Sequence, residues 1–227
     1  MSGTGIEDIE PKGGRRIPLA VAVVVVLATF LSILGALKAF GREYNEWSAS
    51  PTAPTGARVY LTGDSITYWS APIIGDRRPG WFIEGVPGRQ VQTLALQVEQ
   101  ILAGDPHPRA IIVALGTNTE KFEDYEALYR DALAPVPAGT KVVLVAPYRN
   151  PEKFGAGTDW PANRKAYHQY YAARAMNTLA QAEGVCVAHW RYTVSRNPDL
   201  LHDGIHPTMR GRRVLTELLV DAVKTCA

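Results

Sequence analysis

The chain has 227 residues, of which 46% are hydrophobic and 20% charged, the composition of a globular protein. Its formal net charge of +2 is small and no stripe of Lys and Arg interleaved with aromatics occurs, which argues against nucleic acid as a partner. The roughly 170 residues from Arg58 onward suffice for one ordinary domain with an ample core.

In chain order, residues 1–16 form a short tail carrying Lys12, Arg15 and Arg16. The run Ile17–Leu37 then lacks any charge and is rich in Val, Leu and Ala. At about 1.5 Å per residue it is long enough for a ~30 Å hydrocarbon core, so a transmembrane signal-anchor is expected over residues 17–39. Basic residues ahead of it favour a cytoplasmic N-terminus and an extracytoplasmic remainder, an asymmetry weakened by Lys38 and Arg42. The alternative is secretion after signal-peptide cleavage, but such a peptide has an apolar region of about 7–15 residues and an A-x-A-like site, and neither is found. Residues 40–57, with Ser48, Ser50, Pro51, Thr52, Pro54 and Thr55, read as an extended linker. The domain is expected over residues 58–227.

Within it, short apolar runs alternate with helical patterns. Strands are expected at Arg58–Leu61, Trp81–Glu84, Ala110–Leu115, Lys141–Val145 and Val185–Ala188. Helices are expected from Ile66 onward and over Val91–Leu102, Tyr125–Leu133, Asn163–Glu183 (stopped by Gly184) and Met209–Lys224. The third and fourth strands are almost wholly apolar, as strands buried on both faces are. This alternation predicts a mostly parallel five-stranded sheet with helices on both faces. Two cysteines, Cys186 and Cys226, leave a disulfide and two unpaired thiols equally open.

Ligands of such folds bind beyond the C-terminal ends of the strands. Gly63-Asp64-Ser65, Gly85-Val86-Pro87-Gly88 and Gly116-Thr117-Asn118 all follow strands there, and the loop with Asp203 and His206 lies between the last strand and the last helix. Ser65 opens a helix, whose positive dipole end favours an attacking oxygen. His206 is the candidate base that a serine nucleophile needs, with Asp203 to fix its tautomer. Gly88, Asn118 and the Ser65 amide are candidate donors to a developing oxyanion, although Gly85 competes with Gly88 for that place. His202 and His206 have the i, i+4 spacing of metal ligands, but Gly204 and Pro207 break a helix there and no third ligand is evident, so no metal is expected. On the loop Pro147–Asn163, Tyr148, Arg149, Asp159 and Trp160 suit a sugar-binding cleft, with a packed or solvated loop as the alternative. Tyr167, Tyr170 and Tyr171 on the next helix read as packing.

The order of these blocks resembles the SGNH (GDSL-type) hydrolases, whose four motifs carry Ser, Gly, Asn and His. Gly63-Asp64-Ser65, Gly88, Gly116-Thr117-Asn118 and Asp203-Gly204-Ile205-His206 match them in turn. The resemblance implies a flavodoxin-like three-layer α/β/α fold and ester hydrolysis or acyl transfer without cofactor or metal. Gly88-Arg89-Gln90-Val91 and Ala114–Asn118 also look like the extracytoplasmic SGNH domain of bacterial peptidoglycan O-acetyltransferases. The expected substrate is an acylated envelope carbohydrate or another ester. Acyl transfer with a separate membrane acyl-donor protein, and a non-catalytic envelope-binding module, are the rival expectations.

Overall fold

The computed structural model describes residues 58–118, 124–153, 160–182 and 185–226, with only the backbone for 160–167 and 182. The chain divides into two units, Met1–Glu46 and Trp47–Ala227, and every described residue belongs to the second. The expected spanning segment Ile17–Leu37 and the linker lie outside the described residues. Among the described residues no helix is long and apolar enough to cross a membrane.

Five strands, β1 (Val59–Gly63), β2 (Trp81–Gly85), β3 (Ala110–Ala114), β4 (Lys141–Val145) and β5 (Cys186–Ala188), form one sheet in the order β2-β1-β3-β4-β5. Every neighbouring pair is parallel. The connections carry α1 (Ser65–Arg77), α2 (Leu94–Gly104), α3 (Tyr125–Leu133), α4 (Trp160–Ala182), the short α5 (Trp190–Arg196) and α6 (Met209–Thr225).

Strand alternation sorts the core into two layers. Val59 and Leu61 of β1, Ile112 of β3 and Val143 and Val145 of β4 pack with Ile66 and Ile74 of α1 and Leu215, Leu219 and Val223 of α6. Their neighbours Tyr60, Ile111, Val113, Val142 and Leu144 pack with Leu94 and Val98 of α2, Tyr129 of α3 and Met176 and Leu179 of α4. Each of these side chains contributes roughly 1.5–3 kcal/mol when fully buried. The result is the expected three-layer α/β/α sandwich with a parallel sheet.

Several bounds differ from the sequence expectation. β1 runs two residues further, through the buried Thr62 to Gly63, because both stay paired with β2 and β3. Val91–Thr93 is a 3₁₀ turn ahead of α2, and α4 begins at Trp160, shortening the preceding loop. α5 was not expected; it is two turns long and buries only Trp190 and Val194, too little to show a helical period. Cys186 of β5 and Cys226 at the end of α6 form a disulfide across 40 positions, with Cα atoms 5.6 Å apart. A ring of that size is worth about 4 kcal/mol on the chain-entropy account.

Candidate active site

The register of the sheet brings the expected blocks to one level. Gly63 at the end of β1 is the partner of Gly85 on β2 and of Ala114 on β3. The Val86 N–H donates to the Gly63 carbonyl (3.0 Å) and the Asp64 N–H to that of Ala114 (3.3 Å). Three turns therefore leave the sheet side by side at the point where strand order reverses, on either side of β1, the place where open α/β sheets bind ligands.

Asp64 caps α1: its Oδ1 accepts from the Ile66 N–H at 2.9 Å. The carboxyl is wholly buried. Burial pushes it up to about 6, against the pull of the Ile66 N–H, the Thr117 side chain, and the charges of His206 and Arg149. Ser65 follows as the first residue of α1, and its hydroxyl lies 2.9 Å from His206 Nε2. The opposite ring nitrogen, Nδ1, is 2.6 Å from Asp203 Oδ2.

Asp203 uses both of its oxygens. While Oδ2 meets the imidazole, Oδ1 accepts from the N–H groups of Ile205 (2.9 Å) and His206 (2.8 Å), folding the loop over itself. Partial burial pushes this carboxyl up, but the bonds from the His206 ring and from the two N–H groups outweigh it and hold the group well below the usual carboxylate range. A bridge between Leu201 and Pro207 and a bond from the His202 N–H to the His206 carbonyl close the loop at its base. The Asn150 N–H and Lys153 Nζ clamp it from the β4 exit, donating to the carbonyls of Gly204 (2.8 Å) and His202 (3.3 Å). His202 itself is exposed, and both ring nitrogens of His206 are taken by Ser65 and Asp203.

The two rival glycines have different surroundings. A side chain at Gly85 would collide with the backbone of Tyr68, so Gly85 is a packing residue that lets α1 lie against β2. Gly88 has φ +79° and open space around its α-carbon, on an exposed turn closed by the Arg89 N–H on the Val86 carbonyl. Across from that turn, Asn118 Nδ2 donates to the Arg89 carbonyl at 3.4 Å. The Thr117 carbonyl is held by Gln169 Nε2 (3.0 Å) and an Arg149 N–H (3.4 Å).

No model of a known protein family matches the chain, and no curated protein matches it in sequence. Solved structures do. The C-terminal catalytic domain of peptidoglycan O-acetyltransferase A from Streptococcus pneumoniae superposes with a TM-score of 0.62 at 18% identity, over 77% of this chain and 95% of that one. A lipolytic protein of the G-D-S-L family from Veillonella parvula gives 0.60 at 14%, over 74% and 98%. An acetylxylan esterase from Geobacillus stearothermophilus gives 0.54 at 14%, over 76% and 96%. The fold is that of the GDSL-type (SGNH) hydrolases.

On this GDSL-type fold the chain places Ser65, Asp203 and His206 in one hydrogen-bonded line, with Asn118 and the Gly88 turn joined through Arg89. Sequence reasoning passed over Arg89 as a bonding residue. Its guanidinium grips Glu84 through both carboxylate oxygens (2.9 and 3.0 Å) and reaches Thr62 Oγ1 (3.0 Å). The available signal was a carboxylate near the end of an otherwise apolar strand, five residues ahead of an arginine. For Tyr148 the structure shows the packed alternative: its ring is buried, with the Arg191 guanidinium 5.7 Å from its centre. Arg149 is engaged with the Thr117 carbonyl, and the side chains of Asp159 and Trp160 lie outside the described residues.

Proposed function

We propose that the chain is a serine esterase of the GDSL type that removes short O-acyl groups from cell-envelope carbohydrate through an acyl-serine intermediate. The observation that carries this reading is the line from Ser65 Oγ to His206 Nε2 and from Nδ1 to Asp203 Oδ2, at 2.9 and 2.6 Å. In the proposed reaction Ser65 Oγ attacks the ester carbonyl while His206 Nε2 takes its proton, and Asp203 stabilises the imidazolium so formed. The carbonyl electron pair moves onto oxygen, where the N–H groups of Ser65 and Gly88 and the Asn118 amide receive it. Collapse expels the alkoxide, which takes the proton from His206. Water then repeats the sequence on the acyl-serine, releasing the acid and restoring the serine.

A membrane anchor at Ile17–Leu37 and an extracytoplasmic site are part of the proposal. The uncharged length of that segment supports them, and so does the Cys186–Cys226 disulfide, a bond of oxidising compartments. The carbohydrate substrate is suggested by the acetylxylan esterase and the peptidoglycan O-acetyltransferase domain among the similar structures. The latter also favours a second reading, in which a sugar hydroxyl replaces water in the second step and a separate membrane protein donates the acyl group. Both readings share the acyl-serine. The test is to give the full chain an aryl acetate with and without a sugar acceptor, and to measure free acetate against acetylated sugar. Acetate alone supports the esterase; acetylated sugar at the expense of acetate supports the transferase; no Ser65-dependent turnover defeats both.

A further inference from the structure

We infer that Arg89 and Glu84 form a positioning pair for the oxyanion donors, an inference that rests on the esterase reading above. Glu84 on β2 and Thr62 on β1 are register partners, and the Arg89 side chain folds back from the following turn onto both. Its N–H groups meet the two Glu84 oxygens and the Thr62 hydroxyl, and the two charged side chains are only 9% and 13% exposed. Three bonds to a rigid fork fix the guanidinium in plane and direction.

Stability alone is a poor reason for such a pair. Removing two charges from water costs about as much as their attraction returns, and apolar residues of the same volume often serve as well. What the pair supplies is geometry. With its side chain fixed to the strands, the main chain of Arg89 is fixed too, and two candidate donors hang on it. The Arg89 N–H on the Val86 carbonyl (3.0 Å) closes the turn that holds Gly88 at φ +79°. The Arg89 carbonyl accepts one N–H of Asn118 Nδ2 (3.4 Å), and a primary amide has two. Engaging the first sets the direction of the second, which is then aimed for the oxyanion. One arginine thus joins the second and third blocks and sets the Gly88 and Asn118 donors relative to β1, the strand that leads into Ser65.

The experiment is steady-state kinetics of the full chain on an aryl acetate, with thermal unfolding of each variant alongside. Arg89→Lys keeps the charge but not the fork, and should lower kcat about 10–100-fold with KM changed less than about twofold. In an Asn118→Ala background the same change should cost several-fold less, because the donor it aims is gone. Glu84→Gln should lower kcat alone by about tenfold, and it carries the same readings if Arg89→Lys does not fold. Equal losses in both backgrounds, a raised KM at unchanged kcat, or a lowered Tm with full activity would make the pair a structural tie and overturn the inference. Wild-type protein that neither hydrolyses the ester nor is labelled at Ser65 by a fluorophosphonate defeats the esterase reading and this inference with it. An active, labelled wild type with an unaffected Arg89→Lys defeats this inference alone.

Discussion

The two sides of the candidate site are built by different means. On the β1 side, Asp64 is wholly buried and Ser65 is 8% exposed, wedged between a central strand and the helix it opens. On the α6 side, the side chains of His206 and Asp203 are 32% and 41% exposed, carried on a loop whose Leu201 and Ile205 are buried in the core. The serine is placed by the fold, whose parallel sheet cannot move one strand end without the rest. The histidine is placed by hydrogen bonds: within the loop, two N–H groups on Asp203 Oδ1 and the imidazole on Oδ2, and from the β4 exit the Asn150 and Lys153 clamp. A nucleophile inside the framework and a base on a bonded loop should respond differently to damage, and the difference can be tested.

The largest effect is expected at the atoms that transfer the proton. Ser65→Ala and His206→Ala should each lower kcat by about 10⁶-fold with the fold retained. Residual turnover above about a tenth of wild type in either variant would remove that residue from the mechanism. The loop side should then show graded loss: Asp203→Asn keeps an acceptor oxygen but costs the imidazolium its charge partner, and should fall by ~10⁴-fold. If Asp203→Asn matched wild type, the hydrogen bond at 2.6 Å would be structural only.

Asn118→Ala comes next, with kcat lower by ~10²–10³-fold and KM little changed, since its amide would bond the oxyanion only as charge develops. A raised KM at unchanged kcat would assign it to substrate binding instead.

The buried side makes a prediction about pH. The Asp64 carboxyl is raised from 3.8 to about 6 in the folded chain, so folding strengthens its hold on a proton. Stability from this source is complete below the unfolded value and is lost as pH rises through about 6, a loss on the order of 3 kcal/mol by neutral pH. Asp64→Asn keeps an oxygen for the Ile66 N–H without the charge. Urea unfolding should show the variant gaining on wild type as pH rises from 4 to 7, and a constant difference would contradict the burial argument.

The smallest effects separate two glycines. Gly204 and Gly88 both have positive φ, at +92° and +79°. A methyl group at Gly204 would come within 3.1 Å of Asn150 and Lys153, whereas at Gly88 it would meet open space. Gly88→Ala should therefore cost about 1–2 kcal/mol in stability, from backbone strain alone, and Gly204→Ala about 1–3 kcal/mol plus a loss of kcat as the His206 loop shifts. Thermal unfolding with kinetics on both variants checks the order, and equal behaviour would mean the loop clamp does not matter.

Much of this was legible in the chain. Apolar runs such as Ala110–Ala114 and residues 142–145 read as strands covered on both faces, and the spacing of Leu215, Leu219 and Val223 is that of a helix with one buried side. Gly63-Asp64-Ser65 and Asp203-x-x-His206 carry their chemistry in residue type and local spacing, because an Asx turn and a helix cap are bonds between near neighbours. Other features needed the folded chain. The tight packing at Gly85 depended on where Tyr68 of α1 passes. The disulfide depended on β5 and the end of α6 meeting across 40 positions. The burial of Tyr148 depended on α5, which the sequence hid. The grip of Arg89 on Glu84 and Thr62 depended on the register between β1 and β2. Period and local bonding are written along the chain, but register and close approach are set by long-range packing, whose energy is shared over many residues and leaves no mark on any one of them.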